Sequence, residues 1–481
     1  SPCAMPDTKP LVQGTVMRLV PSSPGRPVLT AAAAFLTLAS VAAPSRAGEL
    51  PGNPESARQE PGLFERERLT GDWGGARTRL EGARVTFGLT ATGDISTNPP
   101  GGLQHGRGFS GLIQLDADFD LEKLMGWKGG TFHAGAFLIG GHGLSGKFLG
   151  NLMPISNIEA DPAGRLAEVY FMQTLFDSRL SFKIGQIAAD SEFATSETAG
   201  LFVNSAFGWP ALNGIVLPGG GPAYPVPAPG LRVAYKLDDS WTIQAGVYSG
   251  NPLGRNDKNK HGLTFPLNQG AFAIAEAAYT HDFGGGITGS YKLGGWYNSQ
   301  HFDDLRIAAN GLSLADPDAD PDPRRHRGNF AIYGVIDQTL WKSPDFETTG
   351  RSLAAFARVV VAPEKNRSHV DFYADAGVTY AGLLPDRKND VVGVGVAYAK
   401  VSSSLRQLDR DMAAFSGEPQ PIRSSEVVIE ASYQAQVAPW LKVQPFAQWI
   451  VRPAGGEPDP GRPWRKIPNA TVLGLRSVAV F

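Results

Sequence analysis

Asp371 and Asp375 share one parity of an alternating segment, and a pair of carboxylates is what glycoside hydrolysis needs, one as acid and one as base or nucleophile. At about 3.3 Å per extended residue they stand about 13 Å apart, beyond the roughly 5 to 9.5 Å that such pairs keep. Asp316, Asp318 and Asp320 are spaced like the start of a calcium loop. Pro321 and Arg327 then occupy the places that need Gly and Glu, so an EF-hand is rejected and only a looser cation site in the acidic stretch 316–323 stays open. The eight histidines form no HxxxH pair in a helical stretch, and no GxSxG motif occurs. Neither an enzyme nor a bound metal or cofactor is expected.

What the ionisable side chains do share is parity along alternating segments. Lys183, Arg232, Lys292, Arg358 and Arg476 fall on the polar side, as do Asp116, Asp118, Glu168, Glu276, Asp337, Asp371, Asp375, Glu426 and Glu430. Such a pattern needs strands, because only a period of two puts alternate residues on opposite faces. Val427, Ile429, Ala431 and Tyr433 alternate with Glu426, Val428, Glu430 and Ser432, and the segment 370–380 repeats the theme. An apolar face turned inward would describe a soluble sandwich; turned to lipid, it describes a membrane barrel.

Sixteen such segments can be marked, among them 179–187, 286–298, 328–341, 370–380, 424–436 and 470–481. Most are about 9 to 14 residues long, near what a tilted strand needs to cross a bilayer. Long gaps follow the odd-numbered segments and short ones the even-numbered. That asymmetry predicts an all-β, 16-stranded antiparallel transmembrane β-barrel with long extracellular loops and short periplasmic turns. In a closed barrel the last strand pairs with the first and leaves no open edge. The closing run TVLGLRSVAVF would then place Phe481 in the aromatic girdle at the periplasmic rim.

Composition agrees. Of 481 residues, 58 are Gly and 37 Pro, only 19% are charged, and the formal net charge is −2. Many turns suit that Gly content, and a basic stripe for nucleic acid is lacking. Residues 1–47 read as a signal peptide preceded by an upstream extension: a basic start at Arg18 and Arg26, an apolar run over 28–43, then Ser45-Arg46-Ala47 for cleavage. Residues 48–83 read as an N-terminal periplasmic segment with a short helix capped by Asp72, and 84–481 as the barrel. Cys3 is the only cysteine, so no disulfide is expected in the exported chain.

Several ordered blocks carry a resemblance. LTGDWGGART at 69–78, SNIEA at 156–160, GQIAADSEFATSETAGLFVNSAFGWPAL at 185–212, LPGGGPAYP at 217–225, YKLGGWYNS at 291–299 and VDFYADAGVTYAGLLP at 370–385, with NATVLGLRSVAVF at the end, resemble the carbohydrate-selective porin family of OprB type. The resemblance implies an outer-membrane channel that passes sugars such as glucose by diffusion. Its partners would be mono- or oligosaccharides, outer-membrane lipid and the outer-membrane assembly machinery, for which a terminal aromatic such as Phe481 resembles the signal. A secreted β-rich carbohydrate-binding or carbohydrate-degrading protein, or a general diffusion porin, is the alternative.

The gap of about 41 residues between the fifth and sixth segments exceeds mere connection. Its apolar content suits folding back into the barrel, which places Asp190, Glu192, Asn204 and Trp209 near a constriction, with Glu168 and Lys183 from adjoining strands. Parity also turns Trp296, Tyr333, Arg358, Tyr373 and Asp375 inward. The three rings are expected to stack on sugars or to fill lumen space beside the loop.

Overall fold

The structure is a computed structural model that describes residues 62–481, and one compact unit runs from Phe64 to Phe481. The signal-peptide reading of 1–47 and the first part of the N-terminal segment lie outside the described residues. Sixteen antiparallel strands close into a barrel, β1 (Val85–Thr97) pairing with both β2 (Arg107–Asp120) and β18 (Ala470–Val480). The remaining staves are β3 (Gly130–His142), β4 (Ala163–Leu175), β5 (Leu180–Ile187), β6 (Ala228–Lys236), β7 (Trp241–Ser249), β8 (Ala271–Asp282) and β9 (Thr288–Ala308). They continue through β10 (Pro323–Lys342), β11 (Ser352–Val361), β12 (Val370–Ala381), β13 (Val391–Val401), β14 (Ser425–Ala438) and β15 (Leu441–Val451). A small hairpin, β16 (Pro458–Asp459) and β17 (Arg462–Lys466), stands in the loop before β18.

The two faces divide as the alternation requires. Ile184, Leu231, Val247, Leu293, Ile332, Val378, Val394, Ile429, Trp449 and Leu473 are exposed on the outer surface, while Arg358, Asp375, Glu276 and Glu430 are buried inside. The apolar outer band is what hydrocarbon demands, since a midplane cation there costs about 2 to 4 kcal/mol. Closure pairs every strand on both sides, the condition for β-structure in lipid.

The wall is uneven in height. β5, β6 and β7 have only 8, 9 and 9 residues, whereas β9 and β10 have 21 and 20. Alternation marks 286–298 and 328–341 for that last pair, but the hairpin continues to Ala308 and starts again at Pro323. Its upper part is polar on both faces and includes His301, Asp303, Asp304, Arg325 and Arg327. Beyond the membrane both faces meet water, so the alternation that reveals a strand disappears. The helix Ser403–Ser416 in the loop after β13 was likewise not anticipated.

Near the short-turn end, the helix Ala76–Gly82 is held by Asp72, whose Oδ1 accepts from the Thr78 N–H at 2.8 Å and from Thr78 Oγ1 at 2.9 Å. Arg77 packs over Trp73 and donates to the Phe481 carbonyl at 3.2 Å. The Phe481 N–H donates to Leu89 O at 2.9 Å.

Candidate functional site

Residues 188–227, between β5 and β6, fold into the barrel. They form short turns and the helix Ala211–Val216, and pack their apolar side chains with those of the inner wall into one buried cluster, with Phe193, Leu201, Phe202, Val203, Phe207 and Leu212 nearly inaccessible. Glycines on the facing wall make room for them. A Cβ at Gly395 would stand 3.0 Å from the Phe202 and Phe207 rings, and one at Gly393 would meet Leu201 at 2.6 Å. The segment's Leu201, Phe202 and Phe207 side chains therefore pack directly on the β13 backbone, where the wall contributes no side chain of its own.

Charged groups on the inner wall fasten the segment's own backbone. Arg358 on β11, with Asp375 on β12 as its ion-pair partner, donates to the carbonyls of Ala194 at 3.0 Å, Ala206 at 3.0 Å, Phe207 at 2.8 Å and Gly208 at 2.7 Å. Both side chains are wholly shielded from solvent. A buried ion pair persists where further hydrogen bonds satisfy what the pair leaves over. Carboxylates do the complementary work at N–H groups. Glu276 accepts from Ala194 at 2.8 Å, Glu430 from Val203 at 2.7 Å and Asn204 at 2.8 Å, and Asp337 from Thr198 and the Ser196 hydroxyl.

A second inward segment, 143–162 between β3 and β4, is held in the same way. Glu426 accepts from the N–H groups of Leu152 and Met153 at 2.7 and 2.8 Å. Ser156 bonds Asp94, which is paired with Arg476 at 2.7 Å.

Four of the expected pore residues meet at the edge of the inserted segment. Glu192 lies between Lys183 of β5 and Arg232 of β6, bonding both. Glu168 of β4 accepts from the Ala188 N–H at 2.8 Å, and Asp190 from the Tyr224 N–H at 2.9 Å. Burial pushes the Asp190 carboxyl up to about 6. Burial would also raise Glu192, but Arg232 and Lys183 outweigh it and hold the carboxyl below its ordinary value.

Beside them lies a stack that sequence reasoning missed. The Lys183 ammonium sits 4.7 Å from the Tyr170 ring centroid, and Tyr170 stacks on His133 at 4.8 Å and 14°. His133 in turn contacts Asp118 at 2.8 Å and Asp116 at 3.6 Å. Parity in β2 had turned the aspartates inward. A β-bulge where β3 meets β4 shifts the register between Ala134 and Ala136, and pairs of this kind cannot be read from one strand alone.

The other expected residues sit elsewhere. Trp296, Tyr333 and Tyr373 are 3%, 2% and 0% exposed, so of the two roles expected of their rings the structure has them filling space beside the inserted segment, with no open stacking face. Two of them bond the inserted segment, Trp296 Nε1 donating to Asn213 Oδ1 and Tyr373 Oη to Ala206 O, each at 2.8 Å, while Tyr333 Oη donates at 3.0 Å to Glu276, the wall carboxylate that holds Ala194. Arg358, Asp375 and Asn204 are buried in the same seam instead of lining open lumen. Trp209 is half-buried, and its Nε1 donates within the segment to Gly220 O at 3.1 Å.

A closed sixteen-stranded antiparallel barrel with a fixed segment folded into it is the architecture of the porin class. The family model described as the carbohydrate-selective porin, OprB family, matches residues 105–481, and the chain belongs to that family of sugar-selective outer-membrane porins. It is 28% identical over 432 residues to Porin B of Pseudomonas aeruginosa, covering 86% of this chain and 91% of the relative. Against the putative porin QuiX of Acinetobacter baylyi it is 25% identical, covering 85% and 92%. The high-pH structure of Pseudomonas putida OprB superposes with a TM-score of 0.77 at 26% identity, covering 89% of this chain and all of that one.

Proposed function

We propose that the chain passes neutral mono- and small oligosaccharides, glucose among them, by diffusion through the opening beside Glu192, and that Glu168, Lys183, Asp190 and Glu192 touch the sugar in transit. The observation that carries this reading is Glu192 held between Lys183 and Arg232. The edge of the inserted segment thus combines acceptors and donors at one narrow place without a ring of one charge sign, which would select ions. Tyr170, stacked between Lys183 and His133, adds a hydroxyl and an apolar ring edge there.

In planar bilayers, glucose should reduce ion current through the wild-type channel. The reduction should change little between 0.1 and 1 M salt, because hydrogen bonding to a neutral sugar is not screened as ion pairs are. Glu192→Gln should weaken the block about tenfold by removing charge-assisted hydrogen bonds and freeing two cations that favour anion passage. No glucose block in the wild type would favour a general diffusion pore instead.

A further inference from the structure

The wall is lowest at β5–β7, and the loop over it, residues 250–270 between β7 and β8, is unlike the others. It reaches back across the two short strands to β4: the Leu166 N–H donates to His261 O at 3.0 Å, Arg165 Nη2 to Asn259 O at 3.1 Å, and His261 Nδ1 lies 2.8 Å from Gly164 O. Gly262, at φ +70°, approaches so closely that a Cβ there would stand 2.4 Å from Leu166 O. The loop is thus fixed at its far end and returns over β5–β7 to β8.

On that return leg Leu263, Phe265 and Leu267 are 65%, 43% and 79% exposed. The outgoing leg carries three cations, Arg255, Lys258 and Lys260, against one acid, Asp257, all exposed, with none of the three cations in a salt bridge among the described residues. Beside it, on the outer face of β7–β10 and starting from β8 to which the loop returns, lies an apolar groove of about 520 Å³, floored by Ala245, Ala273, Ala275 and Gly295 and flanked by Val247 and Tyr297. Leucine and phenylalanine side chains left in water forgo the gain that an apolar surrounding would give them. Over strands this short they stand where the outer leaflet begins.

We propose that this loop and the groove beside it bind a phosphorylated, multiply acylated glycolipid of the outer leaflet. Leu263, Phe265 and Leu267 enter its acyl layer, one chain lies along the groove, and Arg255, Lys258 and Lys260 meet its phosphates. Charge complementarity selects this occupant: three free cations beside an apolar surface match an anionic lipid head above its chains, whereas a second copy of the chain would bring the same cations against themselves across a two-fold axis.

The test uses the intact folded barrel in detergent, titrated with purified lipid A and read by native mass spectrometry. Lipid A should remain bound, and the same lipid stripped of its phosphates should bind at least about tenfold more weakly. The combined variant Arg255→Gln, Lys258→Gln, Lys260→Gln should lose a similar factor while keeping wild-type conductance and glucose block. Leu263→Ser, Phe265→Ser, Leu267→Ser should lose binding of both lipids. Heat-modifiable migration reports folding, and should the serine variant fail it, the glutamine variant and the stripped lipid still decide the matter. Equal binding of lipid A by the glutamine variant would overturn the proposal. So would displacement by inorganic phosphate, which would mark a free-anion site, or a dimer that the serine variant abolishes while lipid retention persists.

Discussion

At the scale of single residues, Arg358 shows how a charge can be used inside a membrane protein without facing solute. All its donors are engaged, by Asp375 and by four carbonyls of the inserted segment. Arg358→Met should cost about 3–5 kcal/mol, because it leaves Asp375 buried without a counter-charge. The expected readout is a larger, noisier single-channel conductance and faster proteolysis within 188–227. Adding Asp375→Leu should recover only part of the loss: it removes the orphaned charge but leaves the carbonyls of Ala194, Ala206, Phe207 and Gly208 without their donor. Full recovery would show that the carbonyl contacts contribute little.

At the scale of elements, the inserted segment depends on the wall having no side chain at Gly395. Gly395→Val would drive a branched side chain into the Phe202 and Phe207 rings, which stand 3.0 Å from a Cβ, at a cost of about 1–3 kcal/mol. Since the wall cannot yield outward without breaking the β12–β13 and β13–β14 ladders, the segment should move toward the lumen. Conductance should fall, and an unchanged or higher value would contradict that direction.

The helix Ser403–Ser416 makes a different attachment, to the tall β9–β10 hairpin, through Arg306 and Ser313 on Asp411, each at 2.7 Å. Burial alone would raise the Asp411 carboxyl, but Arg306 and Ser313 hold it below the ordinary value. A depressed acid stabilises the folded arrangement above its unfolded pKa of about 3.9 and loses that contribution as pH falls through the folded value. Hydrogen exchange over 403–416 should therefore be insensitive to pH from 7 to 5, once corrected for intrinsic rates, and should accelerate as the pH falls below the ordinary carboxylate value. For a half-exposed pair the effect is at most about 1 kcal/mol, and Asp411→Asn should remove the pH dependence.

At the scale of the whole molecule, closure is the defining step. β18 lies between β1 and β15, in register from Thr90 opposite Val480 to Thr97 opposite Leu473. Phe481 adds a backbone bond to Leu89 and receives Arg77 at its carbonyl. We propose that Phe481 anchors the rim and presents an aromatic to the assembly machinery; deleting it should then lower the yield of heat-modifiable barrel several-fold while synthesis and export stay normal. Unimpaired yield would remove that role.

The division of labour between sequence and tertiary structure follows from how far each signal reaches along the chain. Strand number, facing and the alternation of long and short connections were legible in the sequence, because lipid on one side and water on the other impress a period of two on every membrane-crossing segment. The same parity identified Arg358, Asp375, Glu276 and Glu430 as inward, and the length and apolar content of 188–227 marked it as the inserted segment. Parity says only which way a side chain points. Whether Tyr373 meets a sugar or the Ala206 carbonyl, and whether Tyr170 stacks on His133, depends on contacts between residues separated by up to hundreds of positions. Those contacts arise only when the barrel closes and the segment settles on its wall, so the position of the constriction was decided by the fold.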